Sequence, residues 1–282
     1  MARDLIGQAF TVIGAAGFVG QRLKAALHAR GAQVFAPKRD DPALWQKPLG
    51  HVMYCAGLTA DYLARPFDTV QAHVSLLAQV LQRAHWQTLV YLSSTRVYDS
   101  FGGVDACETA VLQVDPANPR HLYDLSKALG EALCHTTGQG RARVARLACV
   151  YDSPADPDGF LPALLRQVRA AQAAGVTCIE VASSPFFERD YVHVSDVVDG
   201  LIRIAIRGQH TVYNLAGGEN ISNAALFAYL EHRWKCQVLP LQQTTPAIAA
   251  PLVRIDRMRE EFGWQPSALF DVLDQWRGIS TC

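Results

Sequence analysis

The sequence predicts an α/β fold: a doubly wound parallel sheet followed by a smaller α/β C-terminal lobe. Two observations carry this expectation. An apolar, β-branched run at residues 10–13 passes through Gly14, Gly17 and Gly20 into a helical pattern, with Phe18, Val19, Leu23, Ala26 and Leu27 at i, i+3/i+4 spacing. Short strand-like runs and helical runs then alternate up to residue 151. With 282 residues, half of them hydrophobic and 18% charged, the chain can bury the core that such a sheet needs.

The glycines sit where strand becomes helix. There the backbone must turn tightly, admit a close neighbour and present free N–H groups to an anion. Gly14, Gly17 and Gly20, with Phe18 and Val19 opening the helix, thus predict a Rossmann-type cradle for a dinucleotide pyrophosphate. The helix runs to Ala29, and Gly31 is placed to stop it. Residues 33–36 read as a second strand, which runs out into Pro37-Lys38-Arg39-Asp40-Asp41. An acid at the end of this strand would bond a ribose diol. Lys38 and Arg39 stand there instead and suit a 2′-phosphate. NADP is the expected cofactor, and Asp40 and Asp41 keep NAD open.

Residues 51–57 form a further buried strand ending in Ala56 and Gly57, small enough for a flat cofactor to lie against the backbone. Leu58-Thr59-Ala60 continues as loop. Residues 67–84 are helical, with Val70, Val74, Leu77, Ala78 and Leu81 on one face. Residues 88–92 are a strand that delivers Ser93-Ser94-Thr95. Residues 99–118 are polar and irregular, and their length and the single Glu108 predict a segment over a cleft.

Tyr123 and Lys127 are four apart on a helix and point the same way, while Leu122, Leu125, Leu129 and Leu133 cover a different face, expected toward the core. A phenol is a poor base at neutral pH, and an ammonium held beside it favours the phenolate. A hydroxyl from Ser94 or Thr95 can share the proton being moved. Tyr-x-x-x-Lys alone is also what an ordinary surface pair looks like.

Taken in order, these signals resemble the extended short-chain dehydrogenase/reductases, and within them the NAD(P)-dependent epimerase/dehydratase branch that acts on nucleotide sugars. Gly14, Gly17 and Gly20 match its glycine motif, 52–57 its strand-four segment, Leu92-Ser-Ser-Thr-Arg-Val-Tyr98 its S-S-x-x-V-Y stretch, and Tyr123 with Lys127 its catalytic pair. Arg146-Leu-Ala-Cys-Val-Tyr151, Arg189-Asp-Tyr-Val-His-Val-Ser-Asp196, Tyr213 to Gly218 and Phe262 to Pro266 match later landmarks. The resemblance implies catalysis by Ser94, Tyr123 and Lys127. It implies cofactor contacts from the glycine turn, Lys38, Arg39, Ala56, Gly57, Tyr123 and Lys127. Substrate contacts are implied for Thr59, Thr95, Cys149 and Arg189. In nucleotide-sugar members the matching arginine pairs with the substrate diphosphate; the other reading of Arg189 is a salt bridge to Asp190 or Asp196. The sequence departs from the family at His73 and Cys149, where asparagine is usual, and at Asp99 and Asp152, where glycine is usual. These departures touch the pocket rim and leave the substrate open.

The implied organisation is a cofactor-binding domain over 1–151, with 190–217 returning to it, and a substrate-binding lobe over 152–282. The lobe should open with a helix from Phe160, followed by a strand over 177–181, a helix over 221–231 and a loop over 242–250. Arg254 and Arg257 are weaker substrate candidates. The expected activity is hydride transfer at a carbon of a nucleotide-linked sugar, as a 4-keto reductase or an epimerase. A dehydratase fits less well, because that chemistry usually has an acidic pair after the catalytic hydroxyl and here Thr95-Arg96 follow Ser94. The alternatives are an NADPH-dependent reductase of a small aldehyde or ketone, and a non-catalytic cofactor sensor.

Lys and Arg number 26 and Asp and Glu 26, so no charge field points to nucleic acid. The histidines show no metal-ligand spacing, and no metal is expected. No run reaches transmembrane length and the N-terminus lacks a signal-peptide pattern. Seven scattered cysteines without C-x-x-C read as reduced thiols of a cytoplasmic protein. A homodimer paired through the apolar faces of 70–81 and 122–133 is expected.

Overall fold

The computed structural model describes residues 4–246 and 248–277; Cys282, one of the seven cysteines, lies outside them. Six parallel strands form one sheet. β1 (Ala9–Ile13) lies between β2 (Gln33–Phe35) and β3 (His51–Tyr54), and β3 pairs with β4 (Thr88–Ser94). Ala142–Leu147 and Val212–Leu215 complete the sheet beyond β4. Inner strands are buried along almost their whole length, as expected of a parallel sheet covered on both faces. Chain direction across the sheet reverses between β1 and β3, and the carboxyl ends of these two strands open the crevice in which such folds take ligands.

The boundaries follow local chemistry. Helix α1 (Phe18–Ala29) begins after Gly17 as N-cap. β3 ends at Tyr54, so 55–57 is extended loop rather than strand, and the strand the resemblance numbers fourth is third here. The stretch matched as Arg146 to Tyr151 breaks at Ala148: Ala142–Leu147 stays in the sheet, while Cys149–Tyr151 pairs with Tyr191–His193. The helix expected over 67–84 spans Pro66–Val70 and Leu76–Arg83 with a π-helical segment, Gln71–Ser75, between them.

The helix Leu122–Thr137 corrects one expectation. Its buried face is Tyr123, Asp124, Ser126, Lys127, Gly130, Glu131 and Cys134, whereas Leu129 is 51% exposed. Two features hold the polar face inward. A Cβ at Gly130 would lie 2.5 Å from the Tyr91 ring, so only glycine permits this approach. Glu131 accepts from Ser93 Oγ (2.5 Å) and from Arg146 Nε (3.0 Å), and Arg146 also donates to the Tyr98 hydroxyl. A buried ion pair with its hydrogen bonds satisfied does here what leucines would do elsewhere.

Residues after 151 build a second apolar cluster around Leu161, Leu165, Leu226, Leu230, Trp234 and Leu273. Its strands are Cys178–Val181 with Gln237–Pro240, and Glu188–Arg189 with Ile221–Ser222. The helix expected from 221 begins at Asn223. Val194–Arg207 and Val212–Leu215 pack with the sheet, and Met258 and Trp264 join that first core as well. No described helix is long and apolar enough to cross a membrane, and the six described cysteines are free.

Candidate active site

The glycine turn is shaped by close packing. Gly14 has φ +83°, and a Cβ there would meet the Ala56 nitrogen at 2.5 Å. A Cβ at Gly20 would meet the Gly14 oxygen. Gly17 donates to Gly14 O (3.0 Å), and the first helical bond runs from Gln21 N–H to Gly17 O (2.9 Å). The N–H groups of Phe18, Val19 and Gly20 therefore have no helical acceptor and form the anion-binding end of α1. Beside them opens a cavity of about 840 Å³ that reaches from Gly14 and Ala56 to Lys38 and Arg39. Its lining fits the adenosine half of a dinucleotide, with the two cations at the far end; Ser94, Tyr123 and Lys127 are not part of its wall. Asp40 and Asp41 also line it, but Asp41 is engaged by the Ala43 N–H (2.9 Å). Lys24, Trp45 and Gln71 share the wall. Nothing in the sequence singled them out, since none belongs to a motif.

Tyr123 and Lys127 do share a face, at the carboxyl end of β4. Burial raises the Tyr123 pKa, and Ser94, Arg96 and Thr59 pull it down again. Lys127 is 5% exposed and donates from Nζ to the Leu92 carbonyl (2.8 Å). Its Nζ lies 5.8 Å from the Tyr123 ring centre, and burial lowers its pKa to about 7. Ser94 ends β4 as N-cap of the 3₁₀ turn Thr95–Phe101, and its oxygen accepts from Arg96 N–H (3.3 Å).

His73, at the family's asparagine position, sits in the π segment and is fully buried. Its Nε2 accepts from Leu58 N–H (3.2 Å), which fixes the proton on Nδ1; Nδ1–H then donates to Ser126 Oγ (2.8 Å). Ser126 donates in turn to the Tyr123 carbonyl (2.7 Å). Burial, and then the charge of Lys127, lower the His73 pKa to about 3, so the ring is neutral. A π segment recurs at functional sites because it redirects one side chain. Gly57 is required by this ring, for a Cβ there would come within 2.9 Å of His73 Nε2.

The remaining candidates are distributed around the cleft. The Thr59 side chain is beside the Tyr123 phenol. The Thr95 hydroxyl is 3.4 Å from the Leu147 carbonyl, on the backbone side. Cys149 is exposed and within electrostatic reach of Arg96, Asp99 and Arg189. Arg189 donates to Asn223 Oδ1 (3.1 Å) and stacks on Phe160 (4.6 Å). It forms no salt bridge with Asp190 or Asp196. Asp190 is occupied by the Gly217 and Gly218 N–H groups, and Asp196 by Ser267 N–H. Arg254 pairs with Asp105 and Asp256, Arg257 donates to the Val212 carbonyl, and Glu108 accepts from Asn214 N–H. These three residues are thus accounted for by structure.

The chain is similar to known proteins in sequence and in fold. The model of the NAD dependent epimerase/dehydratase family matches residues 10–216. A dTDP-4-dehydro-6-deoxy-D-allose reductase of a Streptomyces species is 23% identical, over 93% of each chain. A dTDP-6-deoxy-L-talose 4-dehydrogenase (NAD(P)(+)) of Kitasatospora kifunensis is 29% identical, over 73% of each chain. The structure of RMD from Pseudomonas aeruginosa, complexed with NADPH, superposes with a TM-score of 0.75 at 24% identity, covering 95% of this chain and 96% of the other.

Proposed function

The chain belongs to the NAD-dependent epimerase/dehydratase family, a family of enzymes, and we propose that it reduces a keto group of a nucleotide-linked sugar, with NADP(H) as cofactor and C4 as the reacting carbon. The observation that carries this reading is the Tyr123 phenol with the Ser94 and Thr59 side chains beside it and the Lys127 ammonium 5.8 Å from its ring centre. A carbonyl oxygen there would accept from Ser94 while the Tyr123 phenol delivers a proton to it. The hydride would come from the nicotinamide of a bound NADPH. Phe18, Val19 and Gly20 N–H groups would hold the pyrophosphate, and Lys38 and Arg39 the 2′-phosphate. Lys127, half charged near neutrality, keeps a positive group between the Leu92 carbonyl and the ring of Tyr123. In the opposite direction the phenolate would take the proton from the substrate hydroxyl.

Nucleotide linkage is supported by Arg189, whose guanidinium is steered by Asn223 and Phe160 and not neutralised by a carboxylate among the described residues. A diphosphate suits such a fork. Both similar relatives act, by their names, on dTDP sugars at position 4. The domain limits of 1–151 with 190–217, and 152–282, go with this division between cofactor and sugar except around Val253, Met258 and Trp264, which pack into the first core. The outer faces of the 66–83 and 122–137 helices are read as a homodimer contact. The test is turnover: the protein is incubated with NADPH and a dTDP-linked 4-keto-6-deoxy sugar, and NADPH consumption and the product mass are followed. Tyr123→Phe should lower kcat by about 10²–10⁴. Failure of the wild type to reduce any nucleotide-linked keto sugar, with turnover of simple ketones instead, would overturn the reading.

A further inference from the structure

We propose that Arg96 is a positioning residue that sets the proton affinity of Tyr123, a task the catalytic lysine alone does not complete in this chain. The inference rests on Tyr123 being the proton-exchanging group of the function proposed above.

The geometry is specific. The guanidinium carbon of Arg96 lies 4.5 Å from the Tyr123 ring centre and 5.1 Å from the Tyr62 ring centre, so the cation caps two tilted rings that themselves meet at 5.4 Å. An Nη of Arg96 donates to the Tyr62 hydroxyl (3.3 Å), and the Arg96 N–H donates to Ser94 Oγ. One 3₁₀ turn therefore builds both the catalytic hydroxyl and the cation over the phenol. Asp99 and Asp124 make long ion pairs to Nε at 3.9 and 4.0 Å, outside hydrogen-bond reach; they offset part of the charge while the guanidinium stays over the Tyr123 ring. A cation over an aromatic face is attracted by the ring, and far more strongly once the ring carries the phenolate charge.

The other charged and titratable groups facing Tyr123 do not replace it. On its own helix, Lys127 is 5.8 Å from the ring centre with its ammonium bound to Leu92 O, and Asp124 opposes ionisation. From the π segment, His73 meets the ring edge-on at 5.4 Å and is neutral. Tyr91 from β4 is kept neutral by burial, and Tyr62 from the loop after β3 meets the ring at 5.4 Å. Arg120 and His121, in the turn before the helix, act on Asp99 and Asp124. As pH rises past 7 the Lys127 ammonium fades, whereas a guanidinium does not deprotonate. Arg96 is then the remaining cation against the phenol.

The experiment titrates Tyr123 directly, without substrate. The full chain is labelled with ζ-¹³C-tyrosine, and the Tyr123 resonance is identified by its loss in Tyr123→Phe. Arg96→Met should move the midpoint of that resonance upward by about one pH unit, or past the alkaline limit of folding, and Arg96→Lys should restore most of the shift. Should Arg96→Met fail to fold, Arg96→Gln removes the same charge and decides by the same comparison. An unchanged or lowered midpoint in the neutralised variant, or a phenol silent in both proteins to the alkaline limit, would overturn the proposal. Because no sugar is present, an inactive wild type would count against the proposed function and leave this result readable.

Discussion

His73 Nδ1 lies 2.8 Å from Ser126 Oγ, and through that bond the loop behind β3 is tied to the helical turn carrying Tyr123. The ring works only when neutral, since Nε2 must accept from Leu58 N–H. Its folded pKa of about 3 lies below the ordinary 6.5, so the bond's stability is fully present above pH 6.5 and is lost as pH falls toward 3. Urea unfolding at pH 6.5 and pH 5 should show wild type losing roughly 1.5 kcal/mol more than His73→Asn over that interval. Equal losses would mean that His73 is not the titrating group.

Lys127 behaves in the opposite sense from a stabilising ion pair. Burial favours its neutral form, so below its ordinary pKa of 10.5 the ammonium opposes folding, most fully below about 7. Lys127→Met should therefore keep or raise Tm at pH 7, by a few degrees at most, with the difference closing toward pH 10.5. Its kcat/KM should fall by about 10²–10³. A large drop in Tm at neutral pH would show that the ammonium holds the site together.

Cofactor choice rests on Lys38 and Arg39. Each charged contact to a phosphate is worth roughly 1.5–3 kcal/mol, so removing both should weaken NADPH by about 100-fold or more. NADH affinity should change by less than about threefold, since no 2′-phosphate is lost. Calorimetric titration of Lys38→Ala/Arg39→Ala with both cofactors reads this directly. Wild type binding NADH as tightly as NADPH would refute the role given to the pair.

What the sequence made legible follows from the range of the interactions. β1, the glycine turn and α1 are local: periodicity and close packing at Gly14 and Gly20 are written within about a dozen residues. Tyr123, Lys127 and Ser94 came from order and spacing together. The orientation of their helix did not, because the partner of Glu131 is Arg146, on the next strand, and the leucine face looked like the buried one. Arg96 reads in sequence as a charge that disqualifies dehydration. Its aromatic partners are 34 residues upstream, at Tyr62, and at Tyr123, and only the fold joins them. The π segment at His73 leaves the apolar periodicity nearly intact and so carries no signal.

Arg189 separates nucleotide-linked from simple substrates. Arg189→Ala should raise KM for the nucleotide sugar by about 10–100-fold, with NADPH affinity unchanged, since the residue lies on Glu188–Arg189, away from the glycine turn. Asn223→Ala should give a smaller effect of the same sign, because Asn223 only orients the guanidinium. Steady-state kinetics on the two variants decide. An unchanged KM on every accepted nucleotide sugar would return Arg189 to a structural role.

The outward leucine face bears on assembly. Phe67 is 88% exposed, Leu129 51% and Val70 38%, on two helices that pack side by side against the sheet. Apolar side chains so exposed on adjacent helices favour burial against a like surface, and a two-fold axis pairs each patch with itself. Sedimentation should give a dimer for wild type, and Leu129→Glu or Phe67→Asp should yield a monomer that retains NADPH binding. The negative charges would face one another across the axis, so each substitution counts twice. A wild type sedimenting as a monomer at micromolar concentration would overturn the pairing and leave the leucine face a solvent-exposed surface.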